Sequence, residues 1–239
     1  MLKFGSRFKA QSIISFGPSC LSAEILKSCN QRTATFGFDW FRSGSFHHAN
    51  FIRYPTEEFL RHYVVCPSLP LVQKNNPLEH ESKTSELVKR DTIYGYEVLY
   101  NPHRPYNHES YQYFKRAFLR LSIRIDPLHL SNNEDFIPPT LLLTDYINKE
   151  HYIHIPDPKK AMLYLQSLFL LRYGYKPKII ILRFNACSDQ LFPEKNVSIV
   201  SSNQGLILVV PISRSIDDDV LSRRNYYRSL IPLLSEATL

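Results

Sequence analysis

The sequence predicts an α/β fold: a single domain over residues 1–239 with a mainly parallel or mixed central sheet flanked by helices. Three observations predict it. The runs "PTLLLTDYI", "KIIILRF" and "GLILVVPI" are apolar without alternation, the pattern of strands buried on both faces. Helical patterns separate the strands along most of the chain, as in folds whose crossovers cover a parallel sheet. The 239 residues, 44% of them apolar, suffice for a real core.

Taken in order, Ser12–Phe16 reads as a short buried strand broken by Gly17-Pro18-Ser19. Leu21, Ala23, Ile25 and Leu26 then fit a short helix that Ser19 or Ser22 caps. The segment "TATFGFDWFRSGSFHH" is aromatic and turn-rich. Thr56 reads as an N-cap, with Glu57 and Glu58 in the first turn of a helix running to about Tyr63. Residues 67–90 are polar with three prolines, a mobile lid or disordered loop. Tyr94–Tyr100 is a strand ending at Asn101-Pro102-His103. From His108 to Ile125, Tyr111, Phe114, Phe118, Leu121 and Ile125 recur at helical steps. Pro139–Ile147 is a buried strand. Asp157-Pro158 opens a helix that Gly174 stops. That helix is apolar nearly all round, so it is predicted to be buried. After the last two strands, Asp217-Asp218-Asp219 opens a final helical region with a basic stretch at Arg223 and Arg224. No internal repeat is visible.

The formal net charge is +7, which favours an anionic partner. Scattered Lys and Arg, without zinc-finger spacing or an aromatic RNA-binding signature, argue against nucleic acid. The four cysteines, Cys20, Cys29, Cys66 and Cys187, form no C-x-x-C pair and read as free thiols of a reducing compartment. The amino-terminal apolar run is too interrupted for a signal peptide. "AMLYLQSLFLL" is too short to span a bilayer. A cytoplasmic protein, or one peripheral to the inner membrane, is the expectation.

Strand, turn, Cys20 and helix in that order place the thiol at the carboxyl edge of the sheet, where open α/β folds bind ligands. A helix N-terminus favours thiolate and offers N–H groups to an oxyanion. Such a nucleophile needs a base. His103, in the Pro-bracketed turn "NPHRPYNH", follows a strand and ranks first among the nine histidines. His108 ranks second, and His47 and His48 third. His151 and His154 have metal-like spacing but nothing to complete a site, so no metal is expected. Asp145, at the end of a buried strand, is the first choice to orient the base; Asp39 and Asp217–Asp219 are alternatives. Arg116, Arg120 and Arg124 line one helix face, either a solvated stripe or a landing strip for an anionic donor. There is no G-x-S-x-G elbow and no glycine-rich phosphate loop.

The stretch "ISFGPSCLSAEILKSC…ATFGFDWF" resembles the opening of a mainly bacterial, uncharacterised family classed as papain-like cysteine peptidases. Its members carry a G-x-x-C turn after the first strand, a Phe-Asp-Trp motif, a histidine at a strand end and an arginine-bearing helix. Here Gly17 and Cys20 match the first motif, Phe38-Asp39-Trp40 the second, His103 the histidine and "YFKRAFLR" the helix. The resemblance covers about Ser12–Asp145. It implies that Cys20, His103 and a carboxylate act together. Gly17, Ser19 and Leu21 would support the oxyanion, and Asp39 and Trp40 belong to the motif. No Gln stands a few residues before Cys20 to build the usual side-chain half of a papain-type oxyanion hole, and Cys20 follows a strand directly. Capsule-polysaccharide enzymes of papain-like fold, distantly similar, are thought to transfer acyl groups from coenzyme A. The leading expectation is therefore a cysteine-dependent acyltransferase forming a thioester on Cys20. Its donor would be anionic, such as acetyl-CoA, its acceptor a carbohydrate hydroxyl of bacterial capsule or surface polysaccharide. No permanently bound cofactor is expected. The alternatives are a papain-like cysteine peptidase and a non-catalytic binding module.

Overall fold

Among the described residues five strands form one sheet in the order β1-β2-β3-β5-β4: β1 (Ile13–Ser15), β2 (Thr140–Ile147), β3 (Ile179–Cys187), β4 (Ser198–Ser202) and β5 (Gly205–Ser213). β1, β2, β3 and β5 are parallel neighbours, and β4 pairs antiparallel with β5 at the far edge. The computed structural model describes residues 13–17, 20–41, 43, 45–64, 108–129, 136–147, 155, 157–187, 198–202, 205–213 and 219–230. The predicted loop 67–90 and strand Tyr94–Tyr100 lie outside them.

Among the described residues six helices accompany the strands: α1 (Cys20–Ser28), α2 (Ser45–Arg53), α3 (Thr56–Tyr63), α4 (His108–Ile125), α5 (Pro158–Tyr173) and α6 (Val220–Ser229). Successive strand residues point to opposite faces, and the two cores follow that alternation. Leu141 and Leu143 of β2, with Ile179 and Ile181 of β3, pack against α2, α3, α4 and α5. Leu142 and Tyr146, with Ile180, Leu182 and Phe184, pack against α1 and α6. The α/β architecture is therefore three layers deep, with the sheet buried on both sides. That is why its parallel strands carry unbroken apolar runs.

The caps show how sequence sets the ends. Asp157 accepts the Lys160 N–H at 2.9 Å, Pro158 follows it, and Gly174 closes α5 in the left-handed region. Asp219 caps α6 by accepting the Ser222 N–H at 2.6 Å.

Several local readings need correction. Thr56 is the first residue of α3, because Pro55 takes the cap position and its fixed ring sets the entry. Ser22 lies inside α1 rather than at its cap. The turn-rich segment holds a 3-10 turn, Gly37–Trp40, and the helix α2. α5 is not buried all round: Leu163, Leu170 and Leu171 are exposed while Met162, Leu165 and Phe169 face the sheet. Among the described residues no helix is long and apolar enough to cross a membrane.

Candidate functional site

Cys20 is placed by the way β1 ends. The parallel ladder continues past Ser15, with the Phe16 N–H donating to Leu142 O at 2.9 Å and the Thr144 N–H to Gly17 O at 3.1 Å. Gly17 then adopts a φ of +86°, a conformation that L side chains rarely take. A Cβ there would also lie 2.6 Å from His48 Nε2 and 2.8 Å from Ser43 Oγ. The chain turns into α1, whose first residue is Cys20. Ser22 fastens the turn by donating to Gly17 O at 2.8 Å and pairing with Thr144 Oγ1 at 2.9 Å. The thiol of Cys20 is free of any disulfide, and the residue is half-buried.

Two faces of α1 have different jobs. Leu21, Ile25, Leu26 and the following Cys29 go into the core against the sheet. Cys20, Ala23, Glu24, Lys27 and Ser28 recur at helical spacing on another face, one wall of a cleft of about 310 Å³. The other walls are Arg223, Arg224 and Tyr227 of α6, and Arg32 and Asp39 from the segment after α1. α6 is tied to α1 at the same place: Arg228 Nε donates to Ser28 O at 3.2 Å, and the Cys29 thiol to Tyr227 O at 3.5 Å.

The Phe-Asp-Trp motif builds the third wall. Phe38 is fully buried, with its ring edge-on to Phe16, Phe51 and Phe118 at centroid distances of 5.3, 5.5 and 5.1 Å. Each such pair contributes about 0.5–1.5 kcal/mol beyond burial. With Phe38 anchored, the next residue is fixed too. Asp39 Oδ2 accepts from Arg32 Nη2 and from the Phe36 N–H, both at 3.0 Å. Burial pushes the Asp39 carboxyl up from its ordinary range, opposed by the Phe36 N–H, Ser15 and Arg32. Asp39 Oδ1 and the neighbouring Ser15 Oγ are buried, and neither completes a hydrogen bond among the described residues. Arg32 is held as well, by Thr35 Oγ1 at 3.0 Å and Ala34 O at 3.3 Å.

The remaining candidates are distributed as follows. His103, Ser19, His151, His154, Asp217 and Asp218 lie outside the described residues. Leu21 is buried against the sheet, and Trp40 is the last residue of the 3-10 turn. His48 is buried beneath Gly17 with its Nε2 3.0 Å from Ser43 Oγ. Desolvation, reinforced by His47, holds its pKa at about 3, so it stays neutral. His47 is buried beside Tyr63, and His108 is the exposed first residue of α4. Neither His47 nor His48 lines the cleft among its described residues.

Asp145 points to the face opposite α1, as strand alternation requires of a neighbour of Thr144. Its carboxylate takes Arg183 Nε at 3.0 Å, Arg183 Nη2 at 3.2 Å and the Ile155 N–H at 2.9 Å. Asp145 is thus tied to Arg183 and Ile155, and the base it was expected to orient, His103, lies outside the described residues. Arg116, Arg120 and Arg124 are also on that opposite side, on α4, and do not line the cleft. Arg120 Nε donates to Thr35 O at 2.9 Å and so braces the loop that carries Arg32 and Asp39. Arg124 is half-buried beside Tyr175.

The cationic wall of the cleft was missed as such in the sequence. Arg223 and Arg224 read as the basic part of a last helical region, and Arg32 was not singled out. One signal was present: Cys20, Glu24, Lys27 and Ser28 share a helical face distinct from the apolar one. Comparisons with family models, curated proteins and solved structures returned no match.

Proposed function

We propose that this chain is a cysteine-nucleophile acyl-transfer enzyme with Cys20 as the nucleophile. One observation carries the reading: the half-buried Cys20 opens α1 and shares a cleft with Arg32, Arg223 and Arg224. In the first step the Cys20 sulfur attacks the acyl carbon of a thioester or ester donor. The bond to the donor's leaving group breaks, and the leaving group departs with a proton, giving an acyl-Cys20 thioester. In the second step an acceptor hydroxyl attacks the thioester and loses its proton to a base, and the cysteine is regenerated. The oriented N–H groups of a helix's first turn favour the negative charge that develops on the acyl oxygen in both steps.

In this reading His103 carries the proton, as its place after a run that reads as a strand in the sequence and its match to the resembling family imply. A carbohydrate hydroxyl as acceptor rests on the same resemblance. Peptide hydrolysis shares the first step, but the guanidinium-rich wall suits an anionic donor better than a neutral peptide.

The test is intact mass spectrometry after incubation with acetyl-CoA, beside Cys20→Ser. The expected result is one acetyl adduct on the wild-type chain and none on the variant. An adduct that persists in Cys20→Ser, or no adduct from any of a panel of acyl thioesters and esters, overturns the proposal. Peptide cleavage that depends on Cys20, without transfer to an alcohol, moves the assignment to a peptidase.

A further inference from the structure

α5 carries large apolar side chains on the side that the sheet does not cover. Leu163 is 45% exposed, Tyr164 43%, Leu170 47% and Leu171 85%. The spacing of seven from Leu163 to Leu170 and from Tyr164 to Leu171 puts them in two adjacent rows on one helix face. Ser167 stands between the rows, and its hydroxyl donates to Leu163 O at 2.8 Å, so it needs no partner from outside the helix. The Tyr164 hydroxyl accepts from Arg53 Nη2, and that guanidinium lies over the ring, 5.7 Å from its centroid. The opposite face of the helix, with Met162, Leu165 and Phe169, is in the core. A single exposed leucine needs no explanation, whereas a continuous apolar face does.

Charge selects what covers it. Over residues 157–178 five cations, Lys159, Lys160, Arg172, Lys176 and Lys178, stand against one acid, Asp157, which lies 3.3 Å from Lys160 Nζ. Lys159 and Lys160 are exposed one turn before Leu163, and Arg172 and Lys176 are exposed just after Leu171. Arg172 keeps its charge, since the Tyr173 phenol it bonds is neutral, with its pKa pushed up to about 12. Asp126 acts on Tyr173 and Tyr175 at that end, and the cations still outnumber the acids. A second copy of this chain seated on the face would bring cations against cations, whether the two helices ran parallel or antiparallel. An anionic bilayer meets both features. The leucines and the tyrosine enter the headgroup boundary, and the cations at the two ends of the stripe meet lipid phosphates. We infer that the outer face of α5 is a docking surface for an anionic lipid bilayer. The helix lies in the interface, since no described helix is long and apolar enough to cross it. α1 and α6 pack on the other face of the sheet, so the Cys20 cleft points away from the bilayer while α5 is docked. The surface does not depend on the acyl-transfer reading.

The experiment is co-sedimentation of the full chain with vesicles of phosphatidylglycerol and phosphatidylcholine in equal parts, beside vesicles of phosphatidylcholine alone. The variants are Leu170→Ser with Leu171→Ser, Lys159→Gln with Lys160→Gln, and, as control, Leu221→Ser at an exposed leucine of α6. Circular dichroism checks that each is folded. Wild type should bind the mixed vesicles and leave the neutral ones in solution. Loss of the two leucines should weaken binding about tenfold or more, from the apolar area no longer buried. Loss of the lysines should weaken it about fivefold for each charge. Leu221→Ser should bind as wild type does. No binding to mixed vesicles, equal binding to neutral ones, wild-type binding by the folded leucine variant, or an equal loss in Leu221→Ser overturns the surface. If the leucine variant does not fold, the lysine variant decides alone, and wild-type binding by it overturns the surface. Light scattering on the lipid-free chain covers the other occupant. A monomer is the expected result, and a dimer that Leu170→Ser with Leu171→Ser dissociates assigns the face to a second copy and overturns the proposal.

Discussion

Arg32 and Asp39 meet at 3.0 Å on the wall of the Cys20 cleft, with the aspartate side chain 1% exposed and the arginine 21%. Removing the arginine leaves a buried carboxylate without its cation. Arg32→Ala should cost about 2–3 kcal/mol, short of the 3–5 seen when a fully buried pair is broken, because Arg32 is partly solvated. The pH dependence has a definite sign. Burial raises the folded-state pKa of Asp39 above its unfolded value, so the folded chain binds this proton more readily as pH falls. Without Arg32 the pKa rises further. The deficit of Arg32→Ala is therefore largest near neutral pH and shrinks as the medium is made acidic. Urea titrations at neutral and acidic pH check it, and a deficit that grows with acid contradicts this account.

His48 gives a second pH effect, of opposite sign. Its folded pKa is held at about 3 by desolvation and by His47, below the unfolded value near 6.5. Between these values the unfolded chain binds a proton that the folded chain does not. Stability from this residue is complete above about pH 6.5 and falls as the medium is acidified, by about 2 kcal/mol at pH 5. His48→Gln should flatten the stability profile over that window. Parallel profiles for variant and wild type would show that His48 is not the group responsible.

Gly17 is bound by two independent constraints, its φ of +86° and the contacts at 2.6 and 2.8 Å that a Cβ would make with His48 and Ser43. Gly17→Ala should lose about 3 kcal/mol from the backbone conformation and the clash together. Since the same turn carries Cys20, the alkylation rate of Cys20 should change in the folded variant. Unfolding curves and iodoacetamide labelling at Cys20 measure the two effects. A variant as stable as wild type would mean that the turn has another conformation.

The sheet was legible because strands buried on both faces carry unbroken apolar runs, as in Ile179–Phe184 and Leu206–Val210. β4 was not, because "SIVSS" is short and mostly polar. α2 was hidden for a related reason. Its aromatic and histidine residues mix polar and apolar character, so no clean helical period stands out. The exposed Leu170 and Leu171 of α5 show the converse limit: composition says that a helix is apolar, but only packing selects the face that is covered. At the site, Cys20 and Asp39 were visible as motif residues near one another in the chain. Arg223 and Arg224 were not, because they reach Cys20 only through the packing of α6 against α1. Asp145 was read correctly as part of a buried strand, two residues inside its end, but its side-chain direction depends on register. The residue opposite it on β3, Arg183, decides what it does.

Asp145 therefore supplies the last test. It takes two bonds from Arg183 and one from the Ile155 N–H, while Arg183 Nη2 donates to Ile155 O at 3.0 Å. The three residues close a buried brace that fixes the chain leaving β2 before it enters α5. Asp145→Ala should cost about 3 kcal/mol, because Arg183 is left charged and almost covered. Replacing both partners, Asp145→Leu with Arg183→Met, should recover much of that loss, since the desolvation of both charges disappears with them. The brace lies across the sheet from α1, so acyl-Cys20 formation by the folded Asp145→Asn protein should keep the wild-type rate. Urea unfolding of the single and double variants, with acylation followed by mass spectrometry, separates the two roles. An Asp145→Asn chain that stays as stable as wild type but no longer acylates would return Asp145 to the catalytic group.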